Sequence, residues 1–359
     1  MKKLCLLANA NSIHTQKWVE YFSDLQYSIE IITLTDTKYE YKPNVKVHYI
    51  SPSSTNKLSY FLLINKVRKL VYNIKPDILH SHYASSYGML GRMCNYHPFL
   101  VSVWGSDIYQ FPEQNILNKI LLKYILNGAE AVCSTSEDMK NVTQRYYNGD
   151  IFITPFGVDI NIFQKQNPIF SKQNITIGVT KSLEAVYGIN FLIEGFSKIL
   201  KRFPHRDLKL LIVGDGSEKE ELTKFCEYLG IMDKVFFAGV VANEDIVEHI
   251  NQMDIVCIPS LSESFGVSAV EASACERPVV ASNVGGLKEV VIDNKTGFLI
   301  EAKSSEEIAN KIEIFIKDMD LARQFGKNGR EFVQKKFSWD KNVKIMEGIY
   351  DMLIDKFSY

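Results

Sequence analysis

The stretch Pro259–Val280, PSLSESFGVSAVEASACERPVV, decides how this chain is read. The apolar run Ile255–Ile258 before it has the length and composition of a buried strand. A polar turn with Phe265-Gly266 follows. Val267–Cys275, made of small and apolar residues, then reads as a helix. A strand, a glycine turn and a helix in that order aim the first amides of the helix at whatever lies before the turn, and the helix dipole favours an anion there. Gly266 lets a phosphate approach the backbone closely. Two carboxylates flank this seat. Glu263 lies in the turn, and Glu271 lies more than one turn into the helix. A carboxylate accepts hydrogen bonds from two adjacent hydroxyls, as a ribose presents them. The pattern predicts a ligand with polyol groups on both sides of a phosphate. The same string with both glutamates solvated is the plain structural alternative.

Composition bounds the rest. With 359 residues, 46% hydrophobic and 23% charged, the chain has room for two ordinary globular domains. The formal net charge of −1 supplies no global field for nucleic acid. A small basic excess in residues 1–157 is balanced by an acidic excess in the remainder. That excess suits an anionic acceptor or membrane surface, but a few charges over half a protein are equally an ordinary surface. Cys5, Cys94, Cys133, Cys226, Cys257 and Cys275 show no metal-like spacing and mostly sit in apolar runs, as buried thiols of a reducing compartment do. The start, MKKLCLLANANSIHTQ, fits a first strand better than a secretion signal, and no apolar run is long enough to span a bilayer. A cytoplasmic protein is expected, with peripheral membrane contact left open. The basic helix faces around Lys66, Arg68 and Lys69 read as solvated.

Strand-like runs alternate with helical segments along both halves. Leu4–Ala8, Ile29–Leu34, Val45–Ile50, Ile78–Ser81, Leu100–Val103, Ala131–Ser134 and Ile151–Thr154 are expected strands of the first half. Ile175–Thr180, Lys209–Val213, Val235–Ala238, Asp254–Ile258 and Val279–Ser282 are those of the second. This rhythm predicts βαβ units and two mostly parallel sheets in series. Pro155 and Gly157 in Pro155-Phe156-Gly157-Val158-Asp159 break the chain between them. The expected domains are 1–157, joined by a terminal helix over about 342–359, and 158–341.

Glu263 to Glu271, with its Phe-Gly turn and flanking Pro-Ser and Pro-Val-Val-Ala, resembles the Glu-x7-Glu motif of the retaining glycosyltransferases of family four, the group 1 glycosyltransferases. The resemblance covers nearly the whole chain, more strongly in the second half. It implies α/β architecture of the GT-B type: two doubly wound Rossmann-like domains facing across a cleft, with the C-terminal helix crossing back to the first. It implies that the first domain binds the acceptor and the second a nucleotide-sugar donor.

The resemblance also implies roles for particular residues. Glu263 meets the transferred sugar. Ser264, Phe265, Gly266 and Val267 meet the diphosphate, and Glu271 holds the ribose. Lys181, at the carboxyl end of a strand, is the cation for the leaving phosphate; a plain surface lysine is the alternative. The family places a second lysine where Tyr187 stands here. Glu184 resembles an acidic position of the same loop. Gly214 and Gly216 match a Val-Gly-Asp-Gly turn beside the donor, and Val241 is a main-chain contact to the base. His82, in His80-Ser81-His82, faces the transferred sugar. Asp107, in Gly105-Ser106-Asp107, is a helix cap or an acceptor contact. The loop after the first strand lacks the family's glycine pair and offers Asn11 and His14, the latter a sugar contact or a helix-start residue. Phe156 replaces the family's asparagine at the hinge.

The expected activity is retaining transfer of a sugar, from a UDP-sugar for preference, to a hydroxyl in bacterial surface polysaccharide, capsule, lipopolysaccharide or glycolipid assembly. Attack is from the front face with the leaving phosphate assisting. No Asp-x-Asp lies among these candidate residues, so neither metal nor cofactor is expected. The partners expected are a nucleotide-sugar donor and a glycan or lipid-linked acceptor, and no nucleic acid. A sugar-nucleotide epimerase on the same fold, or a noncatalytic partner subunit, are the alternatives.

Overall fold

The computed structural model describes residues 1–51, 57–171 and 173–357. It divides into two compact units. One comprises Met1–Phe156 with Asn342–Tyr359, the other Gly157–Lys341.

The first unit is built on seven strands, β1 (Lys3–Leu7), β2 (Ser28–Thr33), β3 (Val45–Tyr49), β4 (Ile78–His82), β5 (Phe99–Val103), β6 (Ala131–Ser134) and β7 (Ile151–Ile153). They pair in the order β3-β2-β1-β4-β5-β6-β7, parallel throughout. The inner strands β4, β5 and β6 are buried residue by residue, as expected of a sheet covered on both faces. The outer strand β3 has no fully buried residue.

The second unit has β8 (Ile175–Thr180), β9 (Leu208–Val213), β10 (Val235–Gly239), β11 (Ile255–Ile258), β12 (Val279–Ser282) and β13 (Gly297–Ile300). Their order is β10-β9-β8-β11-β12-β13, again parallel. Ile177, Val179, Leu210, Ile212, Ile255, Cys257 and Val280 form the centre of its core. Strand β13 was absent from the sequence expectation. Its four residues follow the Asp293–Thr296 turn and carry one fully apolar triplet, too little for a periodic signal.

In both sheets the winding reverses beside the first strand, between β1 and β4 and between β8 and β11. In open α/β sheets, ligands bind outside the carboxyl ends of the strands at such a point. The topology therefore singles out two loop clusters, one per unit.

The terminal helix Trp339–Phe357 is joined to the first unit by a buried contact. Tyr350 Oη lies 2.6 Å from His80 Nδ1, and His80 Nε2 lies 2.8 Å from Ser102 Oγ. Lys2 Nζ donates to Asp351 at 2.5 Å and Tyr21 Oη to Glu347 at 3.1 Å nearer the surface. All six cysteines are buried and unpaired. Among the described residues, no helix is long and apolar enough to cross a membrane.

Candidate active site

In the second unit, Lys181 is the first residue after β8, and Glu263 lies in the turn after β11. Their strands are neighbours at the reversal, so residues 82 apart in sequence meet. Lys181 Nζ donates to Glu263 Oε2 at 2.5 Å, and both side chains are about nine-tenths buried. Ser260 Oγ donates to the same oxygen at 3.2 Å. The ammonium also lies 4.6 Å from the centre of the Tyr187 ring, a cation–π distance. Tyr187 itself packs against the core, so it closes the floor of the loop.

The helix Val267–Ala274 starts beside this pair. Gly266 caps it in the left-handed region, and Ser268 Oγ donates to Thr180 O at 2.7 Å, which ties the helix start to the end of β8. The bonds of the helix begin with Ala269 and Val270 N–H donating to Gly266 O, which leaves the Val267 and Ser268 amides ahead of the ladder, so the helix N-terminus adds partial positive charge next to Lys181. Glu271 is buried on the same helix, 7% exposed. Phe265 points the other way. Its side chain is 2% exposed and meets Phe337 edge-on at 5.4 Å, so the turn can present only the Phe265 backbone to a ligand.

The remaining positions of the cluster contribute backbone. Gly214 N–H donates to Gly239 O at 2.9 Å, joining the ends of β9 and β10. Gly216 lies against Leu183, and Glu184 accepts from Ser217 N and Oγ at 3.1 and 2.6 Å, so Glu184 staples two loops together. Val241 lies two residues beyond Gly239, at the edge of the sheet.

The sequence reading missed Gly285-Gly286. Gly286 N–H donates to Glu263 O at 3.0 Å, and a β-carbon on Gly285 would sit 1.9 Å from that oxygen. These two glycines let the loop after β12 press against the Glu263 turn. A glycine pair three residues past a strand was the available signal.

In the first unit, the loops at the β1/β4 reversal bring together His14, Thr15 and His82. His82 Nδ1 lies 3.2 Å from Thr15 Oγ1, and its ring lies 4.5 Å from that of Trp104. Burial, with a smaller contribution from His14, lowers the His82 pKa to about 3. The imidazole is therefore neutral near pH 7 and suited to hydrogen bonding rather than to carrying charge. The His14 ring stacks on Phe156 at 3.8 Å and 14°. That contact accounts for an aromatic residue at the hinge. Asn11 is exposed and donates from Nδ2 to Asp36 O at 2.8 Å.

Asp107 is not available to an acceptor. It is fully buried, and its carboxylate accepts backbone N–H groups of Ala84, Trp104 and Gly105 at 2.8, 3.2 and 2.8 Å. It ties the loops after β4 and β5, which is a structural task. Burial raises its pKa and these bonds oppose the rise.

The His82 environment has a consequence for stability. An unfolded histidine gains a proton near pH 6.5, whereas folded His82 gains one only near pH 3. Between those values the unfolded state binds more protons, so this contribution to stability is complete above about pH 6.5 and is lost as pH falls. Urea unfolding at pH 7.5 and pH 5 is expected to show a smaller acid-induced loss in His82→Gln than in wild type. Equal losses would contradict the assignment.

Among the described residues, no group of three or more His, Cys, Asp or Glu side chains is placed to hold a metal ion. The second unit matches the family described as glycosyl transferases group 1 over residues 159–332, and the first matches glycosyl transferase 4-like over residues 3–136. An uncharacterised glycosyltransferase of Methanocaldococcus jannaschii is 26% identical, with 96% of this chain and 95% of the relative covered. N-acetyl-alpha-D-glucosaminyl L-malate synthase of Bacillus anthracis is 28% identical, with 87% and 86% covered. Among solved structures, sucrose-phosphate synthase of Thermosynechococcus elongatus superposes with a TM-score of 0.87 at 20% identity, covering 99% of this chain and all of that one. Anabaena HepE in complex with UDP superposes with a TM-score of 0.83 at 21% identity, covering 98% of this chain and all of HepE. Two wound parallel sheets, matched over nearly their whole length by these folds, are the GT-B arrangement, and the chain belongs to the group 1 glycosyltransferases.

Proposed function

We propose that this glycosyltransferase is a retaining, metal-independent enzyme that moves a sugar from a nucleoside-diphosphate donor to a hydroxyl of a bacterial surface glycan or a lipid-linked acceptor. The observation that carries the reading is the Lys181–Glu263 pair at the β8/β11 reversal, beside the start of the helix Val267–Ala274. A diphosphate entering there takes Lys181 and the Ser264–Val267 amides as its donors. Glu263 then exchanges its ammonium partner for the hydroxyls of the transferred sugar. Glu271 accepts from the ribose, Gly214 and Gly216 leave room for the donor against the backbone, and the Val241 main chain meets the base. His82, neutral and buried, positions the sugar, with Asn11 and His14 on the acceptor side. As the sugar–phosphate bond breaks, negative charge grows on the leaving phosphate, and preorganised donors act most strongly there. A UDP-sugar is the preferred donor, and HepE, whose structures hold UDP or UDP-glucose, supports that preference.

The test is a thermal-shift screen of UDP-, GDP-, ADP- and dTDP-sugars, since a ligand that binds the native state alone stabilises it. A shift with one base class, followed by transfer with retained anomeric configuration, supports the reading. Product with inverted configuration, or a new sugar isomer from donor alone, defeats it.

Glu271→Ala is expected to weaken binding of the free nucleoside diphosphate. Hydrogen bonds to a charged group contribute about 1.5–3 kcal/mol, so the loss is about tenfold or more. Calorimetric titration of both proteins decides it, and equal affinities remove Glu271 from the site. Chelator is expected to leave transfer intact, because Lys181 and the helix start stand where a cation would act. Loss of activity in chelator, restored by magnesium or manganese, would replace this account with a metal-dependent one.

A further inference from the structure

The helix Ile116–Leu126 of the first unit is apolar on both faces. Its inner face is in order: Leu122, Ile125 and Leu126 are buried, and Asn115 caps its start by accepting from Asn118 N. Its outer face is not what a solvated helix carries. Ile116, Leu117, Ile120 and Tyr124 are 67, 72, 58 and 48% exposed. Spaced at i, i+1, i+4 and i+8, they form one contiguous stripe. Single exposed apolar residues are ordinary, but a contiguous patch marks an interaction surface.

The charges on the helix itself have one sign. From Asn115 to Ala129 the sequence holds no acidic residue, and Lys119 and Lys123 lie along one edge of the stripe. The Arg92 guanidinium lies over the Tyr124 ring at 4.6 Å, adding a third cation at the far end. Glu113, in the turn before the helix, meets Lys119 at 3.3 Å and accepts from Tyr146 Oη at 3.1 Å. Lys123 remains exposed. A helix with an apolar outward stripe, an aromatic residue and a basic edge matches the chemistry of the boundary between acyl chains and anionic headgroups. A second copy is a poorer occupant, since a twofold contact would set the lysine edges of both helices around the same patch.

We propose that the outer face of Ile116–Leu126 docks the protein on an anionic lipid surface, with Ile116, Leu117, Ile120 and Tyr124 at the acyl boundary and Lys119 and Lys123 at the headgroups. The proposal rests on the first unit alone and is independent of the donor assignment.

The test is co-sedimentation of the full chain with vesicles of phosphatidylcholine, with and without phosphatidylglycerol. Wild type is expected to pellet with the anionic vesicles and to be released by salt. Ile116→Ser/Leu117→Ser/Ile120→Ser is expected to lower vesicle affinity about tenfold or more, since binding scales with buried apolar area. Lys119→Gln/Lys123→Gln should lose most of the preference for the anionic vesicles. All three changed apolar side chains are exposed, and an unaltered thermal melt confirms folding of the variant. Failure of wild type to pellet, or equal binding by the triple serine variant, overturns the proposal. A dimer in light scattering that the serine variant loses, without vesicle binding, assigns the face to a second copy and also overturns it. A donor shift without vesicle binding leaves the glycosyltransferase reading standing and removes only this inference.

Discussion

Replacing Lys181 with alanine is expected to lower the single-turnover rate of sugar transfer by about 10²–10³, the usual loss when one preorganised group facing developing charge is removed. Two physical effects add. On the proposed role of Lys181, the leaving diphosphate loses its cation. The Glu263 carboxylate, about nine-tenths buried, also loses its ammonium partner at 2.5 Å and keeps the Ser260 hydroxyl at 3.2 Å. An under-bonded buried carboxylate repels an incoming phosphate, so donor affinity is expected to fall as well. Lys181→Arg keeps the charge with a different geometry and should retain part of the rate. The position of Tyr187 decides what a second cation there would do. Its ring already lies 4.6 Å from the ammonium and packs on the core, so Tyr187→Lys would set two like charges together and remove a packed ring. That variant should be slower than wild type. Rapid-quench transfer at saturating donor reads all three variants. A wild-type rate in Lys181→Ala would move the leaving-group cation elsewhere.

Gly214→Ala is expected to be among the most destabilising single-methyl changes in the second unit. Gly214 has φ of +139°, and a β-carbon there would lie 2.0 Å from the Lys181 carbonyl oxygen. That contact is with backbone, which cannot swing aside as a side-chain tip does. Relief requires moving the end of β8, and with it Lys181, or breaking the 2.9 Å bond from Gly214 N–H to Gly239 O. The expected cost is on the order of 3 kcal/mol, with donor binding impaired through Lys181. Gly239→Ala separates the two causes. Gly239 also has positive φ, +74°, but nothing lies within 4 Å of its added carbon. It should cost about 1–2 kcal/mol from conformation alone. Urea unfolding of both variants checks the difference, and a Gly214→Ala cost no greater than that of Gly239→Ala would show that the close approach to Lys181 does not matter.

The positions of these two residues were legible, but their contacts were not. Lys181 and Gly214 were readable as strand-end residues because β8 and β9 are short, largely apolar runs closed by polar or glycine turns. The distance between Lys181 and Glu263 was not readable, because nothing local specifies that β8 and β11 lie side by side. Asp107 shows the opposite failure. An aspartate after a strand has the same local sequence whether it faces a ligand or is buried under three backbone amides, and only the packing of the loops after β4 and β5 separates the cases. Phe265 is similar: the motif gives the turn, and the side-chain direction follows from the Phe337 ring it packs on. Gly285-Gly286 passed unread because its meaning lies in the backbone of the Glu263 turn, more than twenty residues earlier.

What the sequence by itself determined is therefore what short-range physics encodes. Buried strands appear as apolar runs of four to six residues, helix starts appear as glycine and polar turns, and the Glu263–Glu271 spacing appears as a turn leading into a helix. The tertiary structure alone decided the strand order, the Lys181–Glu263 pair, the neutral state of His82 and the burial of Asp107. Each of these depends on groups brought together by parallel pairing across long crossovers, and desolvation is a property of the assembled surroundings, which no local pattern of residues contains.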